Sequence, residues 1–375
     1  MSGVLPAQWL RKALADGWVV GAPGTADNVQ PASLDLRLGD VAYRLRCSFL
    51  PGAESVSGRL DDFAMGELDL RDGAILEKGR PYLIPLAEEP ALPAHVRGRT
   101  NPKSSTGRVD VFTRVITDNS LRFDEVEAGY RGRMYIEVFS RSFTIKVRSG
   151  LSLNQLRLID GGSLAIGDDA LREIHSGDPL LYEGADAEPA DDLVLADGLF
   201  LGVDLSGRGR RGVGYKAKRN SGLLDLSVHT HDPEDFWEPV HAEAGDRLVL
   251  EPEEFYLLIS SERVRVPPAY AAEMEAYDPT AGELRTHYAG FFDPGFGHAK
   301  TGPAGTRAVL EVRARDVPFI LEHGQSVCKL VYEPMIEAPE VAYGAGLGSH
   351  YQDQELTLSK HFETDRRITQ VGEPR

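Results

Sequence analysis

Cysteine is nearly absent from this 375-residue sequence, which has only Cys47 and Cys328, far apart along the chain. Two distant thiols exclude both a CxxC metal or redox motif and a disulfide framework of neighbouring bridges. No run approaches the roughly eighteen apolar residues of a membrane span. The opening MSGVLPAQWLRKALADG carries charge where a signal peptide needs its apolar core, so the expectation is a cytoplasmic protein, neither exported nor membrane-embedded. Cations are also in deficit: 41 Lys and Arg against 58 Asp and Glu leave a formal charge of −17. That balance argues against general nucleic-acid binding, which relies on clustered Lys and Arg. A hydrophobic fraction of 42% excludes a disordered chain.

One stretch runs against the acidic background. Arg97, Arg99, Lys103 and Arg108 fall within RGRTNPKSSTGR, and no carboxylate intervenes before Asp110. Two adjacent serines, Ser104 and Ser105, lie among these cations. Small hydroxyl donors beside guanidinium and ammonium groups suit a compact anion. The competing reading is a polar turn, the usual fate of a Ser-Ser-Thr-Gly run.

The sequence also repeats itself. LEKGRPYLIPLAEEPALP resembles LEPEEFYLLISSERVRVP, and RMYIEVFSRSFTIKVRSG resembles RAVLEVRARDVPFILEHG. Leu76 and Leu250, Pro93 and Pro267, Glu137 and Glu311, and Gly150 and Gly324 all stand 174 positions apart. A constant offset over four landmarks implies two copies of one domain, residues 1–190 and 191–375, joined near the acidic, Gly- and Pro-containing EGADAEPADD. MYIEVFS, FTIKVRS, AVLEVRA and SVCKLVYE read as strands, being short, β-branched and bounded by Gly, Pro and Ser. Two helices are expected: PAQWLRKALADG, entered at Pro6 and stopped at Gly17, and DDALREIHSG, capped by Asp168. The fold class is therefore mainly β, without βαβ units.

Several of these segments together resemble the dCTP deaminase family, the deaminating branch of the dUTPase-like fold. The opening helix with QPASLDLRLG, the KSSTGR stretch, and AGYRGRMYIEVF leading to Glu137 are similar to its motifs; the second half adds AGFFDPGFG, AVLEV and the terminal HYQDQELTLSKHF. The resemblance implies two tandem dUTPase-like distorted β-barrels, jelly-roll-like, and zinc-independent hydrolysis of dCTP to dUTP and ammonia. Glu137 is implied as the group that activates water. Arg108 and Ser104 would enter from a neighbouring subunit to steady charge near the base and contact phosphate or water. Ser105, Lys103, Arg99, Gln155 and Asp293 are implied as nucleotide contacts, and Tyr351, Gln354 and Lys360 belong to a tail expected to close over the nucleotide. Mg²⁺ would arrive on the triphosphate, with no metal ligated by the protein itself. A homo-oligomer with a trimer-like arrangement of domains is expected, with dUTP and dTTP as further ligands.

Zinc deaminases pair H-x-E with P-C-x-x-C. His241 to Glu243 supply the first element, but the second does not occur in the sequence. The two halves keep different pieces of the family pattern. AYDPTAGELR stands in the second half where the Ser-Ser-x-x-Arg motif belongs, so Glu311 is a counterpart of Glu137 without its partners. TDNSLRFDEVEAG replaces the Asp-Pro-Gly of the first half, leaving Asp118 and Glu127 as stand-ins. Two other readings stay open: a dUTP diphosphohydrolase or bifunctional enzyme giving dUMP, and a non-catalytic dNTP sensor. GRGRRGVGYKAKR reads as a solvated loop or as a phosphate contact through Arg210, Arg211 and Lys216. His229 and His231 read as surface residues rather than metal ligands.

Overall fold

The computed structural model describes residues 2–21, 23–162, 165–184, 186–207, 210, 212–276, 284–286, 290–298, 304–344 and 355–364. The chain is mainly β, as its short alternating segments predict. It forms two compact units. The first comprises residues 1–164, 222–228 and 334–341; the second comprises 165–221, 229–333 and 342–375. No helix among the described residues is long and apolar enough to cross a membrane.

In the first unit, one sheet sets Ser152–Asp160 between Val96–Pro102 and Leu34–Arg37. A second sheet runs Val111–Thr117, Met134–Ser140, Pro81–Pro85, Val41–Leu45 and Ala64–Asp69, every pair antiparallel. A third sheet pairs Ile145–Val147 with Ala74–Leu76 and, in parallel, with Leu224–Asp225 from the later part of the chain. The opening helix spans Ala7–Ala15, with Pro6 at its N-cap and Gly17 beyond its end at φ 76°. Its Trp9 indole donates to Glu337 at 2.8 Å.

The repeat survives at the level of single hydrogen bonds. Tyr82 accepts from the Glu77 amide and Tyr256 from the Glu251 amide, both at 3.1 Å and 174 positions apart. The amides of Gly79 and Glu253 likewise reach the carbonyls of Ser140 and Ala314. Gly150 at φ 82° and Gly324 at φ 78° take the same left-handed turn, which only glycine enters without strain.

In the second unit, Tyr256–Val264 lies between Thr306–Ala314 and Gly214–Ala217. The helix expected in DDALREIHSG spans Asp168–Gly177, but its N-cap is Gly167. Asp168 instead accepts from the Asp197 and Gly198 amides, tying the first turn to the following loop. Cys328 is fully buried, and burial pushes its thiol up, leaving it protonated and inert.

The described end of the tail is packed into this unit. Leu356, Leu358 and Phe362 are buried, and Phe362 meets the rings of Phe236, Trp237 and His231. His231 therefore makes an aromatic contact, and Asp232 caps the Pro233–Phe236 turn by accepting from the Glu234 amide. Phe362→Ala is expected to lower stability by about 3 kcal/mol, the usual cost of deleting a buried ring. Urea denaturation followed by Trp fluorescence measures it, and a loss below about 1 kcal/mol would mean that the ring is not part of the core.

Candidate functional site

Met134–Ser140 is buried on both faces, and the alternation of MYIEVFS assigns its side chains. Met134, Ile136 and Val138 take one face; Tyr135, Glu137 and Phe139 take the other. Glu137 is thus carried inside by the strand and is only 2% exposed. Across the ladders it stands opposite Leu83 on one side and Arg114 on the other. Directly opposed residues share a face, so the Arg114 and Glu137 side chains meet.

Arg114 Nη2 donates to Glu137 Oε1 at 2.5 Å and to Ser48 Oγ at 2.9 Å. The guanidinium lies 3.8 Å from the Phe123 ring centroid and 4.9 Å from that of Phe112, which fixes its plane. The other carboxylate oxygen, Glu137 Oε2, is buried without a hydrogen-bond partner among the described residues. A buried acceptor with no donor costs about 1–3 kcal/mol. Such a cost persists in folded proteins where a water, ion or ligand completes the set. The carboxylate is therefore held firmly at one oxygen and, among the described residues, unpaired at the other.

The cationic stretch occupies the other sheet. Its strand Val96–Pro102 ends at Lys103, whose amide reaches the Leu153 carbonyl at 3.0 Å, and the chain then turns through the short helix Ser104–Gly107. Ser104 is half-buried; Ser105 and Arg108 are buried and partnered. Lys103 pairs with Asp35, which is 6% exposed and whose Oδ1 has no partner among the described residues. Gln155 stands directly opposite both Asp35 and Asn101 and accepts from Ser33 Oγ at 3.1 Å. Asp35, Gln155 and Asn101 thus form a buried polar row across three strands, bounded by Lys103. Arg99 lies on the same strand as Asn101, opposite Arg157 and Glu125, and is partnered.

The structure puts Glu137 and the row of Asp35, Gln155 and Asn101 on separate sheets, with Ser104, Ser105 and Arg108 in the helical turn that links them. Within the described residues the partner of Glu137 is Arg114, not Arg108. Asp118 accepts from the Val56 amide at 2.7 Å at the start of the Val56–Phe63 helix, and Glu127 is exposed, so neither carboxylate lies open in a buried pocket. Tyr130, between the Asp118 amide and the Arg133 carbonyl, is pushed up to about 12, mainly by burial.

In the second unit Glu311 stands opposite Leu257, as Glu137 stands opposite Leu83, and is 8% exposed and partnered. Asp293 follows Phe291–Phe292, and Lys360 lies in the packed tail; both are partnered. Tyr351, Gln354 and Arg211 lie outside the described residues. Lys216 is paired with Glu238 at 3.1 Å.

Three residues of these groups escaped sequence reasoning: Arg114, Asp35 and Asn101. Asp35 had left a signal. In SLDLRL, Leu34 and Leu36 alternate with Ser33, Asp35 and Arg37, yet both faces are largely buried, which marks the polar face as lining something.

Comparisons with known proteins bear on the family and the fold. The model for the 2'-deoxycytidine 5'-triphosphate deaminase N-terminal domain matches residues 1–162, and that for the C-terminal domain of the same protein matches residues 167–362. The chain belongs to the dCTP deaminase family. Its fold resembles the crystal structure of 2'-deoxycytidine 5'-triphosphate deaminase from Agrobacterium tumefaciens, with a TM-score of 0.83 and 46% identity over 90% of this chain and 99% of that one. A dCTP deaminase, dUMP-forming, from Halobacterium salinarum is 32% identical over 34% of this chain and 62% of its own length. One of the same description from Corynebacterium glutamicum is 34% identical over 35% of this chain and 70% of its own. The match thus spans rather less than two thirds of the Halobacterium protein.

Proposed function

We infer that the protein is a dCTP deaminase, releasing dUTP and ammonia, and that each unit is a variant of the dUTPase-like barrel. The observation that carries the mechanism is the Glu137 carboxylate, buried, anchored at Oε1 and, among the described residues, unpaired at Oε2. In this reading Oε2 takes a proton from a water whose oxygen bonds to C4 of cytosine. The proton passes to the ring nitrogen N3, and a second transfer through the same carboxyl accompanies cleavage of the C4–N4 bond, so that ammonia leaves and the carbonyl forms. Arg114 keeps the carboxylate oriented through the cycle.

Arg108, Ser104 and Ser105 belong to the short turn of helix that joins the two sheets, and none of them is the partner of Glu137, which supports a site completed by a second copy of the chain, with a trimer-like arrangement of domains. Lys103, Arg99 and Gln155 would meet the nucleotide there, and Asp293 with the tail would contribute from the second unit. Among the described residues no three His, Cys, Asp or Glu side chains converge on a common point. Mg²⁺ would arrive on the phosphate oxygens, where it would neutralise triphosphate charge.

The family match favours deamination over a dNTP sensor. The test is incubation with dCTP and Mg²⁺, before and after chelator treatment that strips zinc, with products resolved. Ammonia together with dUTP is expected at an unchanged rate in both preparations. Activity that vanishes with zinc removal and returns with added zinc would rule out the glutamate mechanism. Pyrophosphate with dUMP would mean that hydrolysis of the phosphate chain follows.

A further inference from the structure

The basic stretch that begins at Arg208 supplies one residue to a cluster that the deamination reading leaves unused. Asp204 is 3% exposed and sits between two guanidiniums: its Oδ2 accepts from Arg210 Nη2 at 2.7 Å and from Arg307 Nη1 at 2.5 Å. Its Oδ1 is taken by the amide and hydroxyl of Ser206, at 3.0 and 2.7 Å. One carboxylate therefore serves two cations. A third cation is close by, because Arg263 stands directly opposite Arg307 across the Tyr256–Val264 and Thr306–Ala314 pair. Like charges directly opposed across a ladder repel unless an anion lies between them.

That anion is at present a side chain of the protein's own tail. Glu355 Oε1 accepts from Arg263 Nη2 at 2.7 Å, and its Oε2 lies 3.9 Å from Arg307 Nε. The match is incomplete. Among the described residues, three guanidiniums against two carboxylates leave one positive charge, and the Arg210 side chain is 6% exposed with its Nη1 buried and without a partner. Glu355 is itself about half exposed, so its pairing is weak and easily exchanged.

We propose that Arg210, Arg263 and Arg307 form an anion site for phosphate groups in the second unit, in which the Glu355 carboxylate is a resident counter-ion that a phosphate ligand displaces. Planar guanidinium forks match the oxygens of phosphate, and a phosphate brings more charge and more acceptors than the single carboxylate it replaces. Removing Glu355 raises the local excess to two positive charges, which a phosphate dianion neutralises. Leu356, Leu358 and Phe362 stay buried, so the exchange displaces one side chain and leaves the tail seated.

Titration calorimetry of the full chain with inorganic pyrophosphate at low salt tests the site. Glu355→Gln removes the competitor and is expected to tighten binding by up to about fivefold. Arg263→Gln removes a charged donor whose side chain is 15% exposed and is expected to weaken binding by about tenfold or more. Arg210 is the most buried of the three arginines and its replacement the harsher change, so the Glu355 and Arg263 variants decide, each with a melting curve to establish that it is folded. Pyrophosphate binding of equal affinity in the parent and both variants, or no saturable binding in any of them, overturns the proposal. A parallel titration with dTTP separates sources: an effect of Glu355→Gln on pyrophosphate and dTTP alike identifies bare phosphate as the recognised group, whereas an effect on dTTP alone means that a nucleoside is required as well. Loss of deaminase activity in an unrelated assay leaves these titrations unchanged, so the two readings fail separately.

Discussion

Glu137→Gln is expected to reduce dCTP turnover by about 10²–10⁴-fold, the range attributed to a positioned proton-transfer group. Glutamine keeps the shape of the side chain and still offers Arg114 an oxygen acceptor, so the strand and its register persist. It cannot accept the proton from water. Ammonia release should therefore fall while KM for dCTP and the melting temperature stay near the parent values. Glu311→Gln, at the equivalent position of the second unit, is the matched control and should leave kcat within about twofold. Equal losses in the two variants, or turnover by Glu137→Gln above a tenth of the parent rate, would remove Glu137 from the mechanism.

The second large effect concerns Arg114. Its side chain is 25% exposed and that of Glu137 2%, so Arg114→Met strands a buried carboxylate beside Leu83 and the Phe123 ring. Removing one partner of a buried pair costs about 3–5 kcal/mol, mostly from the charge left behind. Urea denaturation should register a loss of that order. Adding Glu137→Gln to Arg114→Met removes the stranded charge and should recover most of the loss, a coupling of at least about 1.5 kcal/mol in a double-mutant cycle. Additive losses would mean that the pair contributes little and that Arg114 acts only through its packing between phenylalanine rings.

Why Glu137 was legible and Arg114 was not follows from distance along the chain. Glu137 announced itself as the one charge in an otherwise apolar alternating strand, and its surroundings matched a family motif. Arg114 lies 23 positions earlier and meets it only through the register of two paired strands. That register depends on the path of the intervening loop, which local periodicity does not encode. The repeat was equally readable, because Tyr82 and Tyr256 close the same turn by the same bond, and both tyrosines are in the aligned segments. Capping at the Asp168 helix was misassigned by one position. Asp168 is a good cap by type, but the loop at Asp197 and Gly198 offers it two amides, and tertiary contacts outweighed local preference.

The strand Leu224–Asp225 and the segment Pro334–Val341 belong to the first unit although they are encoded late. During synthesis, the ribosome has already released most of that unit when Ile145–Val147 still lacks its parallel neighbour and Val4 still lacks its bridge to Met335. Nearly the whole second unit must emerge first, an interval on the order of ten to thirty seconds at ordinary elongation rates. Completion of the half that carries Glu137 thus waits on residues 334–341, and a ribosome that stalls before them leaves an incomplete first unit.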